Sequence, residues 1–268
     1  MVTALARFRA PEGGRLQQPP AGEMPLLDHL AELRNRILKS VAAVALGAVA
    51  CWFLYPAIFD VLVDPYCNLQ GTSVDDCRLL QTEPLEAFSI RLKIAGYGGV
   101  ALAMPVLLWQ VWRFVTPGLH ANEKRWAYPF VASALVLFCL GAGLAFHTLT
   151  PALEFLVDVG GPDLQQQFRP APYFELITYM MLAFGVGFEF PIVLVFLQLA
   201  GLLTADALRR ARRFAVVGIV ALVAVITPSG DPYTLGILSI PLYVFYEASI
   251  VIGLLLTRRQ RRDATSSG

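Results

Sequence analysis

Charge is scarce in this sequence: of its 268 residues only 15% are Asp, Glu, Lys or Arg, and three are histidine. Ordinary soluble domains carry about a quarter of their residues charged, so the shortage excludes that class. Catalytic signatures are missing too. There is no H-E-x-x-H pair, no G-x-S-x-G elbow and no G-x-x-x-x-G-K-[ST] loop, which removes helical zinc hydrolases, α/β-hydrolases and P-loop NTPases as readings. His29, His120 and His147 are too scattered for a ligand set. Paired aspartates within apolar segments, which an intramembrane aspartyl protease needs, do not occur either. The expectation is a protein that is not an enzyme, has no cofactor or metal, and has no nucleic-acid partner.

What the chain has instead is hydrocarbon: 56% hydrophobic residues and a mean hydropathy of +0.59. Roughly 20 apolar residues in a helix cross about 30 Å of bilayer core. Six stretches fit that rule, at about 38–58, 90–112, 127–149, 174–199, 214–228 and 234–256. The fifth is short and should thin the bilayer or shelter its ends against other helices. Pro105, Pro191 and Pro241 each interrupt an apolar run, which predicts bent helices.

Sixteen of the 21 basic residues fall before the first stretch, between the second and third, between the fourth and fifth, or after the last, and Lys39 at the mouth of the first stretch makes seventeen on that side. The positive-inside rule therefore places both termini on the cytoplasmic side of a cell membrane, in agreement with an even number of spans. Residues 60–85 and 152–172 are expected outside, and 200–213 inside. The expected organisation is a flexible N-terminal arm over 1–24, one membrane domain over 25–256 and a basic tail over 257–268, whose last ten residues are expected to be mobile. The first apolar run is not expected to be a cleaved signal peptide. Cys67 and Cys77 lie in the first outer loop, "DPYCNLQGTSVDDCRLLQTEP", on the oxidising side, so a disulfide is one reading and free or metal-linked thiols the other.

A few polar residues need a reason. In "MPLLDHLAELRNRILKS" the residues Leu26, Leu30, Leu33 and Ile37 recur on one helical face, with Asp28, Glu32, Asn35 and Lys39 on another. Glu32 and Arg36 stand at i and i+4, the spacing of a local ion pair. The loop "RFVTPGLHANEKRW" contains Pro117 and Gly118, which end a helix, and Glu123, its one acid on a side that should be basic. Within "AFGVGFEFPIVLVF" sits Glu189. A carboxylate at mid-bilayer is unfavourable by at least about 2.5 kcal/mol if ionised, so it should face a bundle interior or a wet cavity. Pro191 should loosen the helix beside it, and Gly185 and Gly187 should leave room nearby. Glu247 and Gln198 are further polar residues in apolar surroundings, with no partner assignable from sequence.

The ordered set "LLDHLAELRNRI", "EPLEAFSIRLKIA", "PVLLWQVWRFVTPGLHANEKR", "FGVGFEFP" and "TPSGDP" followed by "SIPLYVFYE" resembles the TatC family, the multispanning subunit of the Sec-independent twin-arginine translocase. The likeness covers about 25–256. It implies an all-α, six-span, cup-shaped bundle that receives twin-arginine signal peptides and works with single-span TatA- and TatB-type subunits, twin-arginine precursor proteins and further copies of itself in the lipid bilayer. It places the two carboxylates for the paired arginines at Glu32 and Glu123, and the family's buried glutamate at Glu189. Arg34 and Arg36 would position those carboxylates or meet lipid head groups, with Asp231 as the motif aspartate of the last outer loop. Departures are the two loop cysteines, the longer N-terminal arm, and Gly230, an extra residue before Asp231.

Two other classes compete. A secondary transporter would use Glu189 as a proton or cation site, but no inverted repeat is evident and the loop carboxylates would lack a role. A scaffold without a cargo site would leave all three glutamates dispensable. Without a nucleotide motif, a translocase would draw on the membrane potential or proton gradient.

Overall fold

The computed structural model describes residues 26–69, 79, 81, 83–115, 127–161, 169–227 and 232–266. Among them every regular element is a helix: α1 (Leu26–Phe53), α2 (Tyr55–Leu69), α3 (Glu86–Val115), α4 (Ala127–Gly160), α5 (Pro170–Gly187), α6 (Phe190–Leu199), α7 (Ala205–Ile226) and α8 (Pro232–Ser266). The chain runs back and forth, so that the starts of α1, α4 and α7 share one end of the bundle with the ends of α3, α6 and α8. We call this the near end and the opposite one the far end.

Helix breaks follow the chemistry of particular residues. Pro56 has no N–H to return to the Trp52 carbonyl, and the chain bends at Leu54 between α1 and α2. Arg91 of α3 supplies the missing donor, its Nη2 lying 2.9 Å from that carbonyl, while its guanidinium stacks 4.4 Å from the Trp52 ring. Pro191 likewise cannot donate to the Gly187 carbonyl. The break falls there, with Phe188 and Glu189 forming a turn between α5 and α6. Gly201 takes φ +72°, a region open to glycine, and Thr204 then caps α7 by accepting from Ala207 N–H at 3.2 Å.

Five segments are long and apolar enough to cross a membrane: Ala31–Phe53, Glu86–Arg113, Tyr128–Gly160, Pro170–Leu199 and Pro232–Leu255. The sequence reading expects six. The difference is α7, which has four arginines in its first half, leaving only 214–226 free of charge. Other boundaries move as well. Residues 60–69, read as outer loop, belong to α2, and α4 continues through Pro151 to Gly160 instead of stopping near 149. Residues 257–266 of the expected basic tail are helical, as the end of α8. The arm over 1–24 lies outside the described residues. Pro105 and Pro241 lie inside α3 and α8 without ending them.

The core gathers around α5, whose Phe174, Ile177, Met180 and Phe184 are almost fully buried, together with Phe188, Leu238 of α8 and Val223 of α7. Glycines set the tightest seams. A Cβ on Gly99 of α3 would lie 2.6 Å from the Ala48 backbone nitrogen of α1, and one on Gly47 an equal distance from the Gly99 carbonyl. Close backbone approach of this kind is how helices associate where burial of oil against oil gives no drive. Gly141 of α4 takes the Phe184 carbonyl in the same way, and Gly185 takes the Phe138 ring. By contrast α1 rests almost wholly on α3, leaving Ile37, Leu38, Val41, Leu46, Val49 and Phe53 exposed for lipid.

Three polar ties join α3 and α5 at the far end. Lys93 Nζ meets Glu175 Oε2 at 2.6 Å and Arg169 Nη2 meets Glu83 Oε1 at 2.5 Å. Between them Glu86, only 4% exposed, accepts from the Ala171 N–H at 3.1 Å and the Glu83 N–H at 3.4 Å. One carboxylate thus serves the first turn of α5 and the residues leading into α3, and the unpaired N–H groups at a helix start favour negative charge.

Candidate functional site

At the near end Glu32 lies in the second turn of α1 and forms an ion pair with Arg36 one turn on. The Glu32 side chain keeps 30% exposure while that of Arg36 keeps 11%, and the Arg36 Nε is buried without a hydrogen-bond partner among the described residues. Arg34 is exposed. The local pair allowed by the spacing therefore forms, with the carboxylate as its more accessible half. Glu123, Pro117 and Gly118 lie outside the described residues, as does Asp231.

Beside them in the near half is an aromatic cluster that the sequence reading did not identify. Trp112 at the end of α3 packs 4.4 Å from Phe130 of α4 and 5.7 Å from Phe196 of α6, centroid to centroid. Trp109 adds Tyr128 at 5.4 Å. These rings tie together α3, α4 and α6, the first two of which border in the chain the segment carrying Glu123. Aromatic residues near helix ends read equally well as interfacial anchors, so nothing in the sequence singled them out as one cluster.

Glu189 sits in the α5–α6 turn, 8% exposed. Its backbone is satisfied, donating to Val186 O at 3.0 Å and accepting from Val193 N–H at 3.1 Å. Its carboxyl Oε1 is buried with no partner among the described residues. Of the adjacent glycines, Gly185 leaves room for a close helix, admitting the Phe138 ring of α4, whereas a Cβ on Gly187 would meet nothing within 4 Å. An unpaired carboxyl oxygen, a carbonyl denied its helical donor by Pro191, and open space at Gly187 therefore lie within three residues of one another.

The remaining polar residues do not join Glu189. Gln198 Nε2 donates to the Ser249 carbonyl of α8 at 3.0 Å, fastening α6 to α8. Glu247 accepts from Arg212 of α7 at 2.6 Å and from Tyr243 at 2.9 Å, while Tyr246 donates to the Leu208 carbonyl at 2.8 Å. Both act as fasteners between helices. Cys67 is fully buried at the end of α2 and disulfide-bonded. Cys77 lies outside the described residues. Cys51 and Cys139 are free. The far-end residues Glu86 and Arg91 were also missed as sites; both occur in "EPLEAFSIRLKIA", but a cap on a distant helix leaves no mark in local spacing.

The geometry so far is that of a multi-pass helical membrane protein, with an accessible carboxylate at one end and a buried one at a helix break. The family model for TatC, described as Sec-independent protein translocase protein, matches residues 28–241. The chain belongs to the TatC family. A Sec-independent protein translocase protein TatC from Frankia casuarinae is 40% identical over 91% of this chain and 69% of its own length. Its counterpart from Aquifex aeolicus is 35% identical over 89% and 98%. A crystal structure of the twin arginine translocase receptor TatC in DDM superposes with a TM-score of 0.71 at 34% identity, covering 84% of this chain and 99% of that one.

Proposed function

We propose that this chain is the twin-arginine signal-peptide receptor and core subunit of a translocase that exports folded proteins across the bacterial cytoplasmic membrane. The observation that carries the reading is the superposition on the twin arginine translocase receptor over 84% of the chain. In this reading Glu32 and Glu123 receive the two arginines of the signal. The exposed side of the Glu32 carboxylate favours that role, since a guanidinium needs an anionic, approachable and geometrically matched partner. Glu189 offers a polar foothold deeper in the bundle, and TatA- and TatB-type single-span subunits are the working partners.

The near end faces the cytoplasm. Support comes from Arg34, Arg36, Lys39, Arg113 and the four α7 arginines, which gather at that end, and from the disulfide-bonded Cys67 at the opposite one. α7 serves as the sixth, short span, so that both termini share the cytoplasmic side. Site-specific photocrosslinking in membrane vesicles tests the receptor site. Glu32→Ala and Glu123→Ala should each weaken crosslinking to a twin-arginine peptide by about tenfold to a hundredfold, the worth of one charge-assisted contact. Undiminished crosslinking in both variants overturns the assignment.

A further inference from the structure

The pair at Glu32 has a property that its role as a receptor carboxylate does not require: it is already occupied. Arg36 holds a guanidinium against Glu32 from within the same helix. The hold is incomplete, since the Arg36 Nε is buried without a partner among the described residues. Guanidinium and carboxylate bind best as a two-bond fork, and an intrahelical i,i+4 pair is confined to the geometry that the helix allows.

We propose that Arg36 is a specificity-determining residue, an internal stand-in for the signal's arginine that only a better-fitting guanidinium displaces from Glu32. This rests on the receptor reading above. An incoming arginine approaches free of helical constraint and can form the fork, so exchange favours it. A lysine ammonium offers no planar fork and gains too little at Glu32 to release Arg36. Arg36 thus lowers the affinity of every ligand for Glu32 and closes that carboxylate to ammonium groups.

The test uses the full chain in vesicles and two fluorescent peptides, each with an apolar stretch preceded by Arg-Arg or Lys-Lys. Titrations compare the wild type with Arg36→Gln, and with Lys39→Gln, which removes the same charge from an exposed position one turn on. Arg36→Gln should tighten Arg-Arg binding beyond the Lys39→Gln control by about threefold to tenfold, between the value of an exposed i,i+4 pair and that of a desolvated charge-assisted bond. Lys-Lys binding, insensitive to Glu32→Gln in the wild type, should become sensitive to it once Arg36 is replaced. If Arg36→Gln folds poorly by gel filtration, Arg36→Lys keeps the charge without the fork and should shift affinity in the same direction by less. Unchanged or weaker Arg-Arg binding in these variants, with Glu32→Gln still harmful to the wild type, overturns the stand-in role and leaves the receptor reading intact. If Glu32→Gln leaves wild-type binding unaltered, the receptor reading itself fails at this carboxylate.

Discussion

Replacing Glu189 by leucine should make the protein more stable and less active at once. The carboxyl is 8% exposed, and its Oε1 finds no partner among the described residues. A buried polar group left unpaired is unfavourable by about 1–3 kcal/mol, and leucine removes it while adding apolar contact near the Phe188 turn. For a chain of this size about 1 kcal/mol moves the melting point by roughly 2–4 °C, so Glu189→Leu should melt several degrees above wild type in detergent. Glu189→Gln keeps a buried polar end and should melt near the wild type. Export of a twin-arginine reporter should fall further in the leucine variant than in the glutamine one, because glutamine can still donate and accept a hydrogen bond at the same place. Two results refute the reasoning. A leucine variant less stable than glutamine would mean that Glu189 anchors the fold through a partner. Full export with leucine would mean that the carboxyl merely fills space.

Other seams give equally definite outcomes. Gly99→Leu forces side-chain atoms into the α1 backbone, where even a Cβ would lie 2.6 Å from Ala48 N; overpacking of this kind is unfavourable by about 1–3 kcal/mol or more, and cysteine crosslinking between α1 and α3 should report the separation. Glu86→Ala strips acceptors from the Glu83 and Ala171 N–H groups and should lower stability by about 1–3 kcal/mol for each group left dry, measured by thermal unfolding, with Glu86→Gln intermediate. Thiol labelling in detergent should modify Cys139, which is free and exposed, ahead of buried Cys51, and reach Cys67 only after reduction and unfolding. Early labelling of Cys67 without reductant would contradict its bonded state.

The span pattern was legible in the sequence because hydropathy over long runs is a strong local signal. Three of the five spanning segments lie where the apolar runs put them; Tyr128–Gly160 starts as expected but runs on to Gly160, and the first begins two turns earlier because the amphipathic "LLDHLAELRNRI" continues unbroken into it. What escaped is what tertiary contact decides. α2 contains Pro65 and ends among turn-forming residues, so local preference reads it as loop. It is held as a helix by packing of Tyr66 on Tyr173, by the Tyr173 hydroxyl on the Leu62 carbonyl at 2.7 Å, and by buried Cys67. The Glu32–Arg36 pair was readable because i and i+4 lie on one helix face. Arg212–Glu247 and Glu86–Ala171 bring together residues 35 and 85 positions apart, and no periodicity announces them.

The manner in which α1 is attached bears on how the protein is made. Its seam is with α3, the next long helix to leave the ribosome, and the glycine contact at Gly47 and Gly99 needs nothing synthesised later. The α4–α5 and α7–α8 seams also join helices close in the chain. Each pair can therefore close as it enters the bilayer, with little loop entropy to overcome. Only α8, which must meet both α4 and α6, waits for the whole chain. Nascent chains stopped before α8 should already hold α1 against α3, while the space that α8 will fill stays open to lipid until synthesis ends.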